Sequence, residues 1–454
     1  MKDYENYSKD VLKITPTLRF YFGKKDKSSL SQYENSLSDD YILAIKKILD
    51  KYRDTKDIEL QYEIRINDFE LNNKLYLLLF ASQENIIIMF NHINNDMYPK
   101  NEVFKEMRSK DFDNYVNTMI MRAKEGLKLK ITYPKIIIAK FMSQIKKETR
   151  YSHLYKFIKK DYYPYCRSEI GLCYIPNGKE LYREIIKEYI GFLDLTPEEI
   201  HEKGLSLIKK KISKSELYQS EEELFEDCLY YAQHIYENII EKYFHYKMKK
   251  PFVIEKVADE LKPVVPLAYY DTIEEKVFIN TSYYSEISKS EIYSLLMHEC
   301  FHYYHFDFMN HYKVPKYKMH MYSNYALVEG FAHYMETYCE DYDDDNNIFA
   351  LLRKLRLVVD TGINYYGWTY KQAYDYMNKY LPNKKTDIIS ELDRYICTPG
   401  QSLSYVIGKL HIIKMRDDYL KSGGNIKDFH HKLLMEGLAT FKTYEQIFSV
   451  RSST

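Results

Sequence analysis

The chain has 454 residues, with 66 Lys plus Arg against 66 Asp plus Glu and a formal net charge of zero, so no global field draws it to a polynucleotide or an anionic membrane. Its length is enough to bury a large core, as one helical unit or as two or three subdomains. The 49 tyrosines, together with abundant Lys, Ile and Asn, read as a compositional bias of the whole chain and not as a binding surface.

Taken in chain order, residues 1–60 are polar and loosely patterned, with a loop expected over Lys24–Gln32. The N-terminal MKDYENYSKDVLK lacks an apolar h-region, and no apolar run approaches the roughly 18 residues of a membrane span. The six cysteines, Cys166, Cys173, Cys228, Cys300, Cys339 and Cys397, are scattered without a CxxC pair, as reduced thiols are. A soluble cytoplasmic protein with no membrane or nucleic-acid partner is the expectation. Beyond residue 60 the pattern is mostly helical, with few breakers. One sound helix start lies at Thr196, with Pro197 at the first helical position and Glu199 completing a capping box. A β-like segment, KVFINTSYY at 276–284, follows the turn-like DTIEE. It either props up the helix that follows or pairs with an extended peptide.

That helix, unbroken by Pro or Gly from Ser290 to Phe306, contains HECFH at 298–302. Residues four apart lie about 40° from each other around an α-helix and one turn apart along it, so His298 and His302 can address one ion. Glu299 projects beside them, where a carboxylate suits a general base acting on water activated by zinc. A catalytic zinc needs a third protein ligand. The leading candidate is Glu329, in the helical stretch ALVEGFAHYMETY; His305, His311, His320 and His333 are rivals. His305 shares the face of His298 but lies about 10 Å along the axis from it, too far for both to hold one ion. His333, one turn after Glu329, is a candidate for supporting the site or contacting substrate.

At these residues the sequence resembles the zincin-like family called domain of unknown function 885. EGFAHYME is similar to that family's EGWALYxE, and GLCYIPNGKELYREII followed by DLTPEEIHEKGL to its GLxxLPxGxxYY and DLTPEEIHxLGL. VFINT resembles its FYVNT strand, RLVVDTGINYYGWTYKQAYDYM its RLVVDTGIHxxGWTREQAxxYM, and PGQSLSYVIGKLHIIKMR its PGQAxSYxIGxLKIxxLR. The matches run in order from about residue 60 to 450.

The resemblance implies a mainly α, large multi-helical, zincin-like metallopeptidase of the gluzincin type, with a small β-sheet beside the HExxH helix and a deep cleft. It would be similar in its catalytic helices to thermostable carboxypeptidases and thimet-type oligopeptidases. The organisation expected is a variable segment at 1–60, a helical subdomain at 61–260 and a catalytic subdomain at 261–454. His298, His302 and Glu329 would hold one Zn²⁺, with Glu299 as the general base and Tyr405 as donor to the oxyanion. Asn280 and Arg416 would contact a peptide substrate. Arg356 is a second candidate for its carboxylate, and Asp360 would orient a ligand histidine. Helix-to-helix ion pairing is the competing role for Arg356, Asp360 and Arg416. Three departures from the family pattern stand out. The family often has Pro-Gly between the HE pair and the second His, His where this chain has Asn364, and Gln where it has His305. A non-catalytic homologue serving as a binding or scaffold protein, and a zinc hydrolase of a non-peptide bond, are the alternatives to a peptidase. The oligomeric state is not legible.

Overall fold

The computed structural model describes residues 2–15, 37–78, 110–146, 151–209, 216–263, 265–272, 274–321, 324–340, 342–382 and 384–449, so the loop expected over Lys24–Gln32 lies outside them. These residues are mainly helical, with one three-stranded sheet. The chain divides into two units: residues 1–186 with 359–400, and residues 187–358 with 401–454. It thus crosses between units three times, near residues 186, 358 and 400, whereas the sequence reading divides it near residues 60 and 260.

In the first unit the supposedly loose N-terminal stretch is helical: α1 (Lys2–Ile14), α2 (Asp39–Tyr52) and α3 (Ile58–Asn72). Ser38 caps α2 through the amide of Tyr41, and Asp57 caps α3 through those of Glu59 and Leu60, as orphan donors at helix starts require. The buried stripe of α1 is Tyr4, Tyr7, Val11 and Leu12, and the Tyr7 ring meets those of Tyr4 and Tyr52 edge to face. Tyrosine is a core residue throughout: Tyr4, Tyr7, Tyr151, Tyr162, Tyr182, Tyr304, Tyr334, Tyr395 and Tyr444 are among the largest fully buried side chains.

Among these rings lies Glu63, which accepts hydrogen bonds from Tyr7 and Asn67. Burial pushes its carboxyl up to about 7, against the pull of those donors. The folded state therefore holds a proton that the unfolded chain loses near pH 4.5. This contribution to stability is full below that pH and falls as pH rises toward 7, by about 3 kcal/mol. Urea unfolding of Glu63→Gln at pH 5 and pH 8 is expected to show a flatter pH dependence than the parent; an unchanged slope would remove Glu63 as its source.

Asp360, fully buried, accepts hydrogen bonds from the Tyr182 hydroxyl at 2.8 Å, the Asn364 amide at 3.1 Å and the Gly400 N–H at 3.0 Å. Gly400 has φ +86, a conformation that costs glycine least. Asn364 also donates to the Tyr395 carbonyl and accepts from the Leu172 amide. Both side chains therefore hold backbone in place.

In the second unit, Thr196, Pro197 and Glu199 form the expected capping box. The sheet has the order β1 (Ile254–Lys256), β3 (Lys276–Ile279), β2 (Ala268–Asp271), with β3 parallel to β1 and antiparallel to β2. The strand expected near 276 is therefore central, with both edges occupied, and cannot take up a further strand. The edge strands are β1 and β2, and β2 is the one that meets the helix that follows the sheet. In the register Ala268↔Ile279 and Tyr270↔Val277, with the Asn280 amide bonded to the Leu267 carbonyl, alternation turns the backbone groups of Ala268 and Tyr270 away from β3. Among the described residues no helix is long and apolar enough to cross a membrane.

Candidate metal centre

The motif helix spans Lys289–His311 and opens on a capping box, Ser288 with Glu291. It runs unbroken through HECFH, so the compact spacing is the one a regular helix needs. Two inserted residues would swing the second histidine about 200° around the axis. The partner helix, Tyr325–Met335, is capped by Asn324 through the Leu327 amide and carries Glu329 in its second turn.

The two helices bring three donor atoms together. His298 Nε2 lies 3.1 Å from His302 Nε2 and 3.3 Å from Glu329 Oε2, and His302 Nε2 lies 3.5 Å from the same oxygen. Donors about 2.0–2.2 Å from a tetrahedral zinc stand roughly 3.3–3.6 Å apart, so the triangle is close to three corners of a zinc tetrahedron, and two imidazoles with one carboxylate are donor types that suit zinc. It is the one group of three potential metal ligands found among the described residues. Glu329 thus joins the two histidines, and none of the rival histidines does. His311 stacks on Tyr246, His320 stacks on Phe306, and His333 is buried against Lys409. His305 is fully buried against Phe331, with both ring nitrogens lacking hydrogen-bond partners, and burial together with the His302 charge pushes its pKa down to about 3.

Behind the triangle stands a carboxylate that the sequence reading missed. Glu336 Oε1 lies 2.8 Å from His298 Nδ1, and the same carboxylate is held by Arg353 at 2.8 and 2.9 Å. The carboxylate fixes one ring proton on Nδ1 and leaves Nε2 facing Glu329 and His302, as the nitrogen that a metal ion would claim once its own proton is lost. Burial and the Arg353 charge push the His298 pKa down, but Glu329 and Glu336 outweigh them and hold it at about 9. Burial raises the Glu329 carboxyl, and the two histidines pull it well below the usual range. A proton shared in this triad is what a metal ion would have to displace. Glu336 lies seven residues after Glu329, two helical turns on and on the same face, which is the signal that could have found it. Glu336→Gln keeps the shape but not the charge, and metal affinity is expected to fall about 10–100-fold. Titration against a competing chelator would measure this, and an unchanged affinity would leave Glu336 with a packing role only.

Glu299 is almost buried, and its Oε2 accepts the outward N–H of Tyr270 on edge strand β2 at 3.0 Å. Tyr405 lies in the first turn of the helix Ser404–Lys421, its ring stacked on His298 with centroids 6.2 Å apart and the Arg356 guanidinium 4.6 Å over its face. That helix crosses the Glu329 helix at Gly330 and Gly408. A methyl group on Gly408 would sit 1.8 Å from the Ala326 carbonyl oxygen, and one on Gly330 would sit 2.5 Å from the Gly408 backbone. Glycine at both positions lets the backbones touch, which sets Tyr405, one turn before Gly408, beside His298.

Three expected site residues do other work. Asn280, fully buried, donates to the Lys262 and Val265 carbonyls and accepts from Ser282, shaping the turn after β3. Arg416 pairs with Asp417 and lies over the Tyr334 ring, about 16 Å along its helix from Tyr405. Asp360 holds the turn at Gly400, and the carboxylate that stands against a histidine of the triangle is Glu336.

A family described as bacterial protein of unknown function, DUF885, matches residues 209–447. The crystal structure of a "putative lipoprotein" from Colwellia psychrerythraea aligns with a TM-score of 0.78 at 17% identity, covering 100% of this chain and 99% of that one. A "putative lipoprotein of unknown function" from Shewanella oneidensis aligns with a TM-score of 0.66 at 16% identity, covering 98% of each chain. At these identities the likeness is one of fold. No curated protein matches the chain.

Proposed function

We propose that this chain, which belongs to the DUF885 family, is a zinc-dependent peptidase that hydrolyses small peptides. The observation that carries the reading is the His298–His302–Glu329 triangle with Glu299 beside it. His298, His302 and Glu329 would hold one zinc ion, which when bound lowers the pKa of water and polarises a carbonyl. Glu299 takes the proton of the attacking water and passes it to the leaving amine. The Tyr405 hydroxyl donates to the oxygen on which charge develops. The outward-turned N–H and C=O of Ala268 and the C=O of Tyr270, whose N–H is held by Glu299, offer an edge to which an extended peptide can add.

In this reading the helices around the centre form a zincin-like cleft of the gluzincin type, suited to peptides and not to folded proteins. The free cysteines Cys166, Cys173, Cys228, Cys300, Cys339 and Cys397 suit a reducing compartment such as the cytoplasm, and the neutral charge balance gives no reason to expect a nucleic acid.

The test is metal analysis of the purified protein with digestion of a mixed peptide library. One zinc per chain is expected, with cleavage that a chelator stops and zinc restores. His298→Ala should lose both the metal and the cleavage. A protein that binds no zinc, or binds it and cleaves no peptide, would sink the proposal; the latter result would turn attention to esters and non-peptide amides.

A further inference from the structure

The motif helix continues past the ligands with rings. Phe306 lies four residues after His302 and seven after Glu299, on the same helical stripe and about 6 Å along the axis from His302. It is half-buried, as are Tyr303 on the same helix, Tyr270 on β2 and His320. Tyr270 spans the gap between strand and helix, its ring centroid 5.3 Å from that of Tyr303 and 6.0 Å from that of Phe306. His320 stacks on Phe306 at 6.1 Å with the planes 20° apart, and burial followed by the nearby Lys316 charge pushes its pKa down to about 4, leaving it neutral near pH 7. A wall of four rings therefore begins one turn from the metal-binding histidine, and Tyr270 joins it to the catalytic carboxylate through its own N–H. None of the four rings carries a charge near pH 7.

We propose that this wall is a specificity subsite that receives a large apolar or aromatic side chain of the peptide, close to the bond that is cut. The inference rests on the peptidase reading and adds the substrate class to it. An extended peptide advances about 3.4 Å per residue, so a side chain one or two residues from the scissile bond reaches rings that start one helical turn from His302. Half-buried rings offer such a side chain apolar area and edge-to-face or stacked contacts. An Asp or Glu side chain would lose its hydration there without a partner, and would meet the Asp307 and Glu275 carboxylates, whose charges reach Tyr303.

The experiment uses zinc-loaded full-length protein and peptides that differ at one position, Phe, Leu, Ala, Asp or Lys, scanned across the cleavage site. At one position, kcat/KM for Phe is expected to exceed that for Ala by at least tenfold, the size of discrimination that burial of a side chain supplies. In Phe306→Ala that ratio should fall below about threefold, and in Phe306→Leu most of it should return. Binding of the same Phe and Ala peptides to Glu299→Gln protein, with and without Phe306→Ala, reads the same ratio without turnover. Chelator-sensitive cleavage with no preference among side chains, or a preference that survives Phe306→Ala, overturns the subsite and leaves the peptidase reading standing. Absence of zinc-dependent cleavage of any peptide overturns both.

Discussion

Glu299→Gln is expected to reduce peptide hydrolysis by a factor on the order of 10³ while leaving zinc content and thermal unfolding unchanged. The amide is nearly the same size as the carboxylate, and its oxygen can still accept the Tyr270 N–H that holds Glu299 in place. What it loses is the ability to take a proton. General acid and base catalysis by a placed side chain contributes about 10²–10⁴-fold, and in this site one residue would serve both steps. Steady-state kinetics on a peptide identified from the library, with metal analysis of both proteins, makes the comparison. A variant that keeps activity within tenfold of the parent would show that another group moves the proton, and Glu299 would then be only the anchor of β2.

Gly408→Ala is expected to cost roughly 3 kcal/mol or more, lowering the melting temperature of the protein by on the order of 3–6 °C. The added methyl group would stand 1.8 Å from a backbone oxygen, an atom that cannot turn aside as a side chain can, so the two helices must separate. Since Tyr405 lies one turn before Gly408, whatever zinc-dependent activity remains should also fall. Gly423→Ala is the comparison. At φ +87 it carries backbone strain, but nothing stands within 4 Å of its Cβ position, so about 1 kcal/mol is expected. Equal losses at the two positions would mean that the helix crossing gives way easily.

The triad was legible because helical geometry fixes where residues four apart must lie, and because Glu329 stands in a segment long enough to resemble a family pattern. The capping box at Thr196 was legible for a similar reason: its residues speak to backbone groups within the same turn. The features that were missed depend on pairing at a distance. Nothing in KVFINTSYY shows that Ile254–Lys256 will flank it on one side and Ala268–Asp271 on the other, so an edge strand and a central strand look alike. Asn280 and Asp360 are polar residues at family-matching positions. Their partners, the carbonyls of Lys262 and Val265 for one and the Gly400 amide and Tyr182 hydroxyl for the other, come from elsewhere in the chain. The helices of the first 60 residues were obscured by their own core residue, since tyrosine reads as polar or apolar according to where its hydroxyl ends. Asn364, which replaces a histidine common in the family, proves to hold backbone groups of Leu172 and Tyr395, so its amide is committed to architecture.

The hydrogen bond from Tyr270 to Glu299 links two events that would otherwise be independent. One oxygen of the carboxylate is tethered to the outer rim of β2, the same rim an incoming peptide would lie along. In the peptidase reading, a peptide that docked there would pull on the tether, and one that did not fit would leave it slack. The alignment of the proton acceptor would then report on how well the chain lying beside it is seated, so that poor substrates would be slowed in turnover as well as in binding.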